Sequence, residues 1–263
     1  MNGLTTVNIE LSSKCNKFCW CCGRREIDRS HPEIAMNYGY MDFGLVESIA
    51  KQLPSDIVTQ FHWNGEPLLY PKFGKAIDLF KRQIRCIDTN GKLLVEKADQ
   101  IINKLDTLTV SIIENDPEGE EQYQIVRKFL SLKGNIKPLM IYRLLGDVNK
   151  PDRWKELPGI VATRVFHSAL GSFNYQKTPT KPEIGICLDL LNHIAIDRFG
   201  NVSPCVRFDP LHLGRIGDLN KSSLKDIWNS SKRKEWIKHH LAGRRDLAPL
   251  CNYCDFWGIP TGY

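Results

Sequence analysis

The segment TVNIELSSKCNKFCWCC (residues 6–22) joins a short β-rich run to a loop that holds four cysteines within eight residues. TVNIEL predicts a strand, and the cysteine loop follows it. Four thiols this close together are too many for ordinary packing, in which a free cysteine acts as a small apolar residue. The segment therefore predicts a strand whose following loop ligates metal.

The composition is that of a globular protein from a reducing compartment. Of the 263 residues, 42% are hydrophobic and 25% are charged, and no run reaches the roughly 18 consecutive apolar residues of a membrane span. The N-terminus lacks a basic region followed by an apolar core, so no secretory signal is expected and the cytoplasm is the predicted location. In such a compartment the nine cysteines indicate metal ligation more than disulfides.

The formal charge of +6 is compatible with a nucleic-acid partner, and the densest basic stretch is SKRKEWIKHHLAGRR (residues 231–245). Its basic residues are not interleaved with stacking aromatics in a known nucleic-acid module. A solvated helix face explains the stretch, and nucleic acid is not expected as a partner.

The first two thirds of the chain alternate β-rich runs with helical patterns, which is typical of a parallel α/β fold. Strands are predicted at residues 6–11, 57–63, 85–88, 107–113, 136–143 and 159–166. Helices are predicted at residues 41–53, 74–84, 92–105 and 120–132, with a short piece around Trp154. Right-handed crossovers curl six such units into a partial (β/α)6 barrel, with the site at the carboxyl ends of the strands.

The pattern changes after the sixth predicted strand. Residues 168–182 are rich in turn formers and indicate a linker between a barrel at 1–167 and a small domain at 183–263. In the small domain, alternating runs flank DRFGN and predict a β-hairpin. Ser223 and Asp226 fit a capping box of a helix that has Leu224, Ile227 and Trp228 on one face. A hairpin and a helix bury little core, so a staple is expected.

Cys15, Cys19 and Cys22 follow the spacing C-x3-C-x2-C. Three thiolates can hold three corners of a [4Fe–4S] cluster, which leaves one iron without a protein ligand and implies a bound small molecule. The alternative is a zinc site, which usually presents paired C-x2-C hooks and would need a remote fourth ligand here.

This spacing in the loop after the first strand resembles the radical S-adenosylmethionine superfamily, whose members have a partial (β/α)6 barrel. NGEP (residues 64–67) follows the second predicted strand, where the superfamily has a Gly-Gly-Glu-Pro-like loop that contacts the amino group of S-adenosylmethionine. The resemblance implies that Asn64, Gly65 and Glu66 bind this cofactor. Asn64 departs from the pattern, but asparagine also tolerates the turn. Taken alone, Asn-Gly would indicate only a turn.

Further polar residues lie at the ends of later strands. Asn90 follows the third strand, Ser111 lies in the fourth, and Arg143 ends the fifth. The resemblance implies that these side chains hold the ribose and carboxylate of S-adenosylmethionine. The alternatives are a strand-end turn or cap for Asn90 and Ser111 and an ion pair for Arg143.

The C-terminal cysteines form a second set. Cys187, Gly200 and Cys205 follow C-x12-G-x4-C, and Cys251 and Cys254 follow C-x2-C. They resemble the twitch domain, a shortened SPASM auxiliary-cluster extension, so the resemblance implies a second [4Fe–4S] cluster held by these four cysteines. The alternative is a structural zinc with the same ligands.

Four residues outside these sets receive a structural interpretation. Cys21 and Cys86 are interpreted as buried small apolar residues. His62 and His167, near the ends of the second and sixth strands, are interpreted as hydrogen-bonded core histidines.

In size and layout the chain resembles the deoxy-scyllo-inosamine dehydrogenase family. The resemblance implies a radical S-adenosylmethionine oxidoreductase that cleaves the cofactor to a 5′-deoxyadenosyl radical, which abstracts hydrogen from the substrate. With the auxiliary cluster as electron acceptor, the expected reaction is a two-electron dehydrogenation of a small polyol or amino sugar. A one-electron donor such as a flavodoxin or ferredoxin is an expected partner.

Two other functions stay open, and no catalytic residue is identified. One is a maturase that modifies a ribosomal peptide, as longer relatives of this kind do. The other is a non-catalytic iron–sulfur electron-transfer protein, against which Glu66 and the three-cysteine loop argue.

Overall fold

Six parallel strands in chain order form the frame of the protein. A computed structural model describes residues 1–164 and 186–252 and Cys254. The strands are β1 (Thr6–Ile9), β2 (Val58–Gln60), β3 (Ile84–Thr89), β4 (Thr107–Ile113), β5 (Leu139–Leu145) and β6 (Ile160–Arg164). Each pairs in parallel with the next, so all six predicted strands are confirmed. The predicted linker at 168–182 and His167 lie outside the described residues.

The C-terminal segment adds strands to the same sheet. These are β7 (His193–Ile196), β8 (Asn201–Ser203) and β9 (Gly217–Asp218), and the sheet order is β6-β5-β4-β3-β2-β1-β7-β8-β9. The predicted hairpin is confirmed as the antiparallel pair β7–β8. In addition, β7 pairs in parallel with β1. Main-chain hydrogen bonds therefore join the C-terminal segment to the barrel, which the sequence did not predict.

The helices follow the predicted order but differ in length. They are α1 (Gly23–Ser30), α2 (Phe43–Gln52), α3 (Phe73–Asp78), α4 (Ala98–Ile101), α5 (Gly119–Lys133), α6 (Asp152–Lys155), α7 (Leu188–Asn192), α8 (Leu224–Trp228), α9 (Ser231–Leu241) and α10 (Pro249–Asn252). The predicted capping box is confirmed, because Asp226 N donates to Ser223 Oγ at 3.2 Å. Among the described residues, no helix is long and apolar enough to cross a membrane.

Two helical predictions were too long, and three helices of the described residues, α1, α7 and α10, were missed. The helix predicted at 92–105 is reduced to α4, because residues 92–97 form turns and Asn103 adopts a φ of 60°. The helix predicted at 74–84 ends at Asp78, since Ile84 already belongs to β3. The helix α1 was missed because its sequence, GRREIDRS, is mostly polar and carries little apolar periodicity.

The predicted solvated face of the basic stretch is confirmed on α9, with an exception. Lys232, Lys234 and Lys238 are exposed. Arg233 is buried and donates to the carbonyls of Leu190 and Leu191, both at 2.8 Å. This arginine ties α9 to α7 and so supports the C-terminal segment.

The two faces of the parallel sheet differ in exposure. In β5, Met140, Tyr142 and Leu144 are buried on the helix-covered face, whereas Arg143 and Leu145 on the other face are half-buried. Parallel sheets usually cover both faces with apolar residues. The half-buried face here surrounds an open interior, which we call the lumen.

The carboxyl end of the sheet brings distant segments together. The segment after β8 lies next to the loop after β2, because Trp63 Nε1 donates to the Val206 carbonyl at 3.0 Å. The predicted fold class, a partial (β/α)6 barrel with a small C-terminal part, is confirmed.

The core under the sheet should dominate stability. Phe129 on α5 is fully buried, so Phe129→Ala should lower the free energy of unfolding by about 3–5 kcal/mol. Leu132 lies on the same helix and is 54% exposed, so Leu132→Ala should change it by less than about 0.5 kcal/mol. Urea unfolding followed by circular dichroism measures both. Equal effects of the two substitutions would contradict this core.

Candidate active site

The three cysteines of the N-terminal motif lie together in the loop between β1 and α1. Cys15, Cys19 and Cys22 are all half-buried, and Cys22 N donates to the Cys19 carbonyl at 3.2 Å. Burial raises the pKa of Cys19 to about 12; Lys17 lowers it, and neighbouring cysteines raise it further. Grouped thiols of this kind ionise together only when a cation neutralises them, so the donor set fits an iron–sulfur cluster.

Arginines of α1 hold the cysteine loop in shape. Arg24 is buried and donates to the Ser13 carbonyl, and Arg25 donates to the carbonyls of Cys15 at 3.3 Å and Lys17 at 3.4 Å. Sequence reasoning missed this pair. Its signal was the position of two arginines directly after the last cysteine of the motif.

The loop after β4 supports the other side of the cysteine loop. Lys17 and Asp116 form a buried ion pair, and Trp20 Nε1 donates to the Glu114 carbonyl at 3.0 Å. Breaking a buried pair of this kind leaves an uncompensated charge, so the pair fixes the loop in one position.

The NGEP loop packs directly against the cysteine loop. A Cβ at Gly65 would lie 2.2 Å from the Ser12 carbonyl oxygen and 2.7 Å from that of Lys14. Next to it, Glu66 N donates to the Lys14 carbonyl at 2.8 Å. Only glycine permits this approach of one backbone to another. The structure therefore brings together the two motifs that the sequence analysis combined.

The Glu66 carboxylate is buried and engaged within the protein. It accepts hydrogen bonds from Thr89 Oγ1 and Asn90 N, both at 2.8 Å, and from Leu68 N at 3.1 Å. Burial raises its pKa to about 7. In this structure the carboxylate joins the loop after β2 to the loop after β3, a contact that the sequence did not predict.

The side chain of Asn90 lies beside the cysteines. Its Nδ2 lies 3.8 Å from Cys15 Sγ and donates to Asn16 Oδ1 at 2.8 Å. Ser111 on β4 pairs in register with Arg143 on β5, and both lie on the lumen face. The structure thus places Asn90 at the cysteine loop, and Ser111 and Arg143 in the lumen wall.

A polar network crosses the lumen behind these residues. Arg143 donates to Asp88, whose Oδ2 lies 3.5 Å from His62 Nε2. Asn8 donates to the His62 carbonyl at 2.9 Å and lies 2.8 Å from His193 Nε2. Burial would raise the pKa of Asp88, but the opposite effects of His62 and Arg143 lower it. Arg143 therefore forms an ion pair, which was the alternative to cofactor binding.

His62 is hydrogen-bonded, as predicted for a core histidine. Its Nδ1 accepts from Asp88 N at 3.3 Å, and burial lowers its pKa. The neighbouring Asp88 raises that pKa, so burial and the carboxylate act on the imidazole in opposite directions.

Glu10 joins three parts of the site and was missed by sequence reasoning. It is buried directly after β1, and its carboxylate accepts from Asn64 N and from Arg198 N, both at 3.2 Å. Burial raises its pKa to about 7. A charged residue directly after a buried strand was the available signal.

The four C-terminal cysteines line one pocket. Its lining consists of Cys187, Cys205, Cys251 and Cys254 together with Asp189, His240 and Arg245. Burial raises the pKa of Cys205, and the neighbouring Cys251 raises it further. The structure thus brings this predicted ligand set together, and four thiols around one space fit a second cluster.

Cationic and imidazole groups position this second set. Arg245 is buried, and its Nη1 donates to the carbonyls of Cys251 at 2.8 Å and Cys254 at 2.6 Å. Cys187 N donates to His240 Nδ1 at 3.3 Å. These residues fix the backbone of three of the four cysteines, and sequence reasoning missed them.

No disulfide joins any of the cysteines within the described residues. Within the described residues, no group of three or more His, Cys, Asp or Glu side chains is arranged to hold a single metal ion. Cys21 and Cys86 are half-buried, which is less than predicted; burial raises the pKa of both, that of Cys21 to about 11.

Comparison with known proteins agrees with this geometry. Residues 187–255 match the SPASM family, described as an iron-sulfur cluster-binding domain. The structure of BtrN in complex with AdoMet and 2-DOIA superposes with a TM-score of 0.60 at 22% identity, over 96% of this chain and 93% of that one. This chain has the fold of the radical S-adenosylmethionine enzymes. Its SPASM-type part is the segment that carries the four C-terminal cysteines.

Two further proteins are similar to this chain, one in sequence and one in structure. The S-adenosyl-L-methionine-dependent 2-deoxy-scyllo-inosamine dehydrogenase of Niallia circulans is 24% identical over 97% of this chain and 94% of its own length. SuiB of Streptococcus suis, bound to the precursor peptide SuiA, superposes with a TM-score of 0.62 at 13% identity, over 96% of this chain and 71% of that one. The resemblance stated from the sequence is therefore confirmed.

The contact at Gly65 can be tested by adding one methyl group. Gly65→Ala should force the two loops apart, lower the free energy of unfolding by about 1–3 kcal/mol and reduce iron content after anaerobic reconstitution. Gly119→Ala is the control, because its Cβ would meet no atom closer than 3.9 Å. Wild-type stability and iron content in Gly65→Ala would contradict the close contact.

Glu10 predicts a pH effect on stability. Its folded pKa is raised above the unfolded value of 4.5 to about 7, so the stability it contributes is full below pH 4.5 and is lost as the pH rises through 7. Glu10→Gln removes this loss. Its stability relative to wild type should rise by about 3 kcal/mol between pH 4.5 and pH 8, measured by urea unfolding. Glu96→Gln, at a side chain that is 65% exposed, should show no such change.

Proposed function

We propose that the chain is a radical S-adenosylmethionine oxidoreductase. The supporting observation is the joining of the three-cysteine loop, the NGEP loop and Asn90 at the carboxyl ends of β1, β2 and β3. Cys15, Cys19 and Cys22 would hold a [4Fe–4S] cluster. When bound, the cluster and S-adenosylmethionine supply a 5′-deoxyadenosyl radical for hydrogen abstraction.

The protein positions the cofactor and shapes the lumen in this proposal. The backbone of Gly65 borders the cysteine loop, Asn64 N donates to Glu10, and the Glu66 carboxylate holds Asn90 in place by accepting from its backbone N–H. Ser111 and Arg143 face the lumen from neighbouring strands, where they can contact a bound nucleoside. Curling of the sheet around this space limits the entry of water.

The second set of cysteines makes an oxidation the proposed outcome. Cys187, Cys205, Cys251 and Cys254 would fill all four iron corners of an auxiliary [4Fe–4S] cluster, so the substrate would not bind to that cluster directly. The group would instead accept one electron from the substrate while a proton leaves. The proposed reaction is therefore a two-electron dehydrogenation.

A small polyol or amino sugar is the proposed substrate. The dehydrogenase from Niallia circulans is named for 2-deoxy-scyllo-inosamine, and this chain covers 94% of its length. The alternative is modification of a ribosomal peptide. The structural similarity to SuiB bound to precursor peptide SuiA supports this alternative. The chain covers 71% of SuiB but 94% of the dehydrogenase, and this higher coverage favours a small-molecule substrate.

The organisation and setting of the protein complete the proposal. The barrel spans residues 1–167, the linker 168–182 and the auxiliary-cluster domain 183–263. Although β7 pairs with β1, the family match begins at Cys187 and supports a functional boundary near there. The proposed location is the cytoplasm, and the proposed electron source is a flavodoxin or ferredoxin.

Removal of the first cluster tests the radical chemistry. Wild type should bind about eight irons per chain, and the triple variant Cys15→Ala, Cys19→Ala, Cys22→Ala about four. With dithionite and S-adenosylmethionine, wild type should release 5′-deoxyadenosine and the triple variant should release none. Cys86→Ala is the control and should match wild type in both measurements. Intact wild type that forms no 5′-deoxyadenosine would refute the proposed function.

Removal of the second cluster tests its separate role. Cys205→Ala should also bind about four irons, yet it should still cleave some S-adenosylmethionine while losing oxidised product and stability. Chromatography of both products with reconstituted protein measures the two activities. Equal loss of cofactor cleavage in Cys205→Ala and in the triple variant would contradict separate roles.

A further inference from the structure

The side-chain amide of Asn90 has a fixed orientation beside the first set of cysteines. Its Oδ1 accepts a hydrogen bond from Lys92 N at 3.0 Å. A backbone N–H can donate only to the oxygen of an amide, so this contact decides which of the two amide atoms is the nitrogen. The Nδ2 group therefore faces the cysteine loop, where it donates to Asn16 Oδ1 at 2.8 Å and to Cys15 Sγ at 3.8 Å.

The backbone of Asn90 is held from both sides. Its N–H donates to Glu66 Oε2 at 2.8 Å, and its carbonyl accepts from Gln122 Nε2 at 2.8 Å. Gln122 is buried on α5 and also donates to the Ser111 carbonyl at 3.0 Å, so it fastens the end of β3 to β4. Because the main chain is fixed in this way, Nδ2 stays beside Cys15 Sγ.

Both hydrogens of the amide nitrogen are used within the chain. An amide NH2 group has two donors, and here one goes to the oxygen of Asn16 and the other to the sulfur of Cys15. The resemblance stated from the sequence implies instead that Asn90 holds the ribose or carboxylate of S-adenosylmethionine. To donate to the cofactor, Asn90 would have to give up one of these two contacts.

A hydrogen bond to a ligating sulfur changes how easily an iron–sulfur cluster is reduced. Hydrogen bonds to the sulfurs are among the factors that set the reduction potential of such a cluster. The reduced state carries one more negative charge than the oxidised state. Since hydrogen bonds to charged acceptors are the stronger ones, an N–H donor stabilises the reduced state more and raises the potential.

We propose that Asn90 raises the reduction potential of the first cluster through its hydrogen bond to Cys15 Sγ. This inference rests on the proposed function, in which Cys15 is a ligand of that cluster. Asn90 acts through the cysteine and is therefore a positioning residue. A higher potential makes the first cluster easier to reduce for the proposed flavodoxin or ferredoxin.

A redox titration of the anaerobically reconstituted holoprotein, followed by electron paramagnetic resonance, tests the proposal without turnover. Asn90→Ala removes the donor and should lower the one-electron reduction equilibrium constant of the first cluster at least threefold. That factor corresponds to about 28 mV, at 59 mV for each tenfold change. A smaller change overturns the proposal. The signal of the second cluster, identified in the triple cysteine variant, should titrate as in wild type and is the internal reference.

Two matched variants separate the donor from other roles of an asparagine. Asn135→Ala removes an exposed asparagine before β5, at the opposite end of the strands, and should titrate as wild type does. Asn16→Ala removes the other partner of Nδ2 and leaves Cys15 in place, so it should lower the equilibrium constant less than Asn90→Ala does. Equal shifts in Asn16→Ala and Asn90→Ala would assign the effect to the shape of the loop and overturn the proposal.

A third variant applies if Asn90→Ala does not take up iron. In Asn90→Ser the hydroxyl can still accept from Lys92 N, as serine does in turns, but the amide nitrogen is absent. A wild-type potential in Asn90→Ser overturns the proposal as well.

Binding of S-adenosylmethionine separates this role from the one that the resemblance implies. Measured by calorimetry on the oxidised holoprotein, the affinity of Asn90→Ala for S-adenosylmethionine should stay within about threefold of wild type. Weaker binding, about tenfold or more, together with an unchanged potential would assign Asn90 to the cofactor and overturn the proposal.

Formation of 5′-deoxyadenosine distinguishes a failure of this inference from a failure of the proposed function. Wild type that forms 5′-deoxyadenosine, with a potential that Asn90→Ala leaves unchanged, refutes this inference alone. Wild type whose potential depends on Asn90, but that forms no 5′-deoxyadenosine, refutes the proposed function and supports the hydrogen bond to the cluster ligand.

Discussion

The site depends on one steric constraint, the approach of the NGEP backbone to the backbone of the cysteine loop at Gly65. Without a side chain there, Glu66 N reaches the Lys14 carbonyl, and the loop after β2 becomes one wall of the cysteine site. The buried Glu66 carboxylate extends this wall to Asn90, whose side chain lies beside Cys15. Three loops that are distant in the sequence thus form one rigid surface at the carboxyl end of the sheet.

A second constraint is the cost of burying charge around the lumen. Asp88 lies between His62 and Arg143, and Arg143 forms an ion pair with it, so the buried carboxylate is compensated within the network. Such a network holds its members in one geometry, because each buried polar group needs its partner.

The C-terminal segment is held by more than its cysteines. Pairing of β7 with β1 and the hydrogen bond from Arg198 N to Glu10 attach it to the barrel next to the first cysteine loop. Arg245 then holds the carbonyls of Cys251 and Cys254, so it positions two of the four cysteines of the second pocket. The sequence predicted the staple but not the main-chain pairing of β7 with β1. The apolar period of a strand indicates that it lies in a sheet, but it does not indicate which strand it pairs with.

The sequence by itself determined the order of the six strands, the hairpin, the capping box at Ser223 and the grouping of the cysteines, because period, turn chemistry and spacing are local properties. Only the tertiary structure decided which of the polar residues meet. The Glu66 carboxylate accepts hydrogen bonds from Thr89 and Asn90, and Arg143 forms an ion pair with Asp88. Glu10 links two loops that are distant in the sequence. These choices depend on desolvation and on long-range register, which are set when the sheet curls and which no short stretch of sequence encodes.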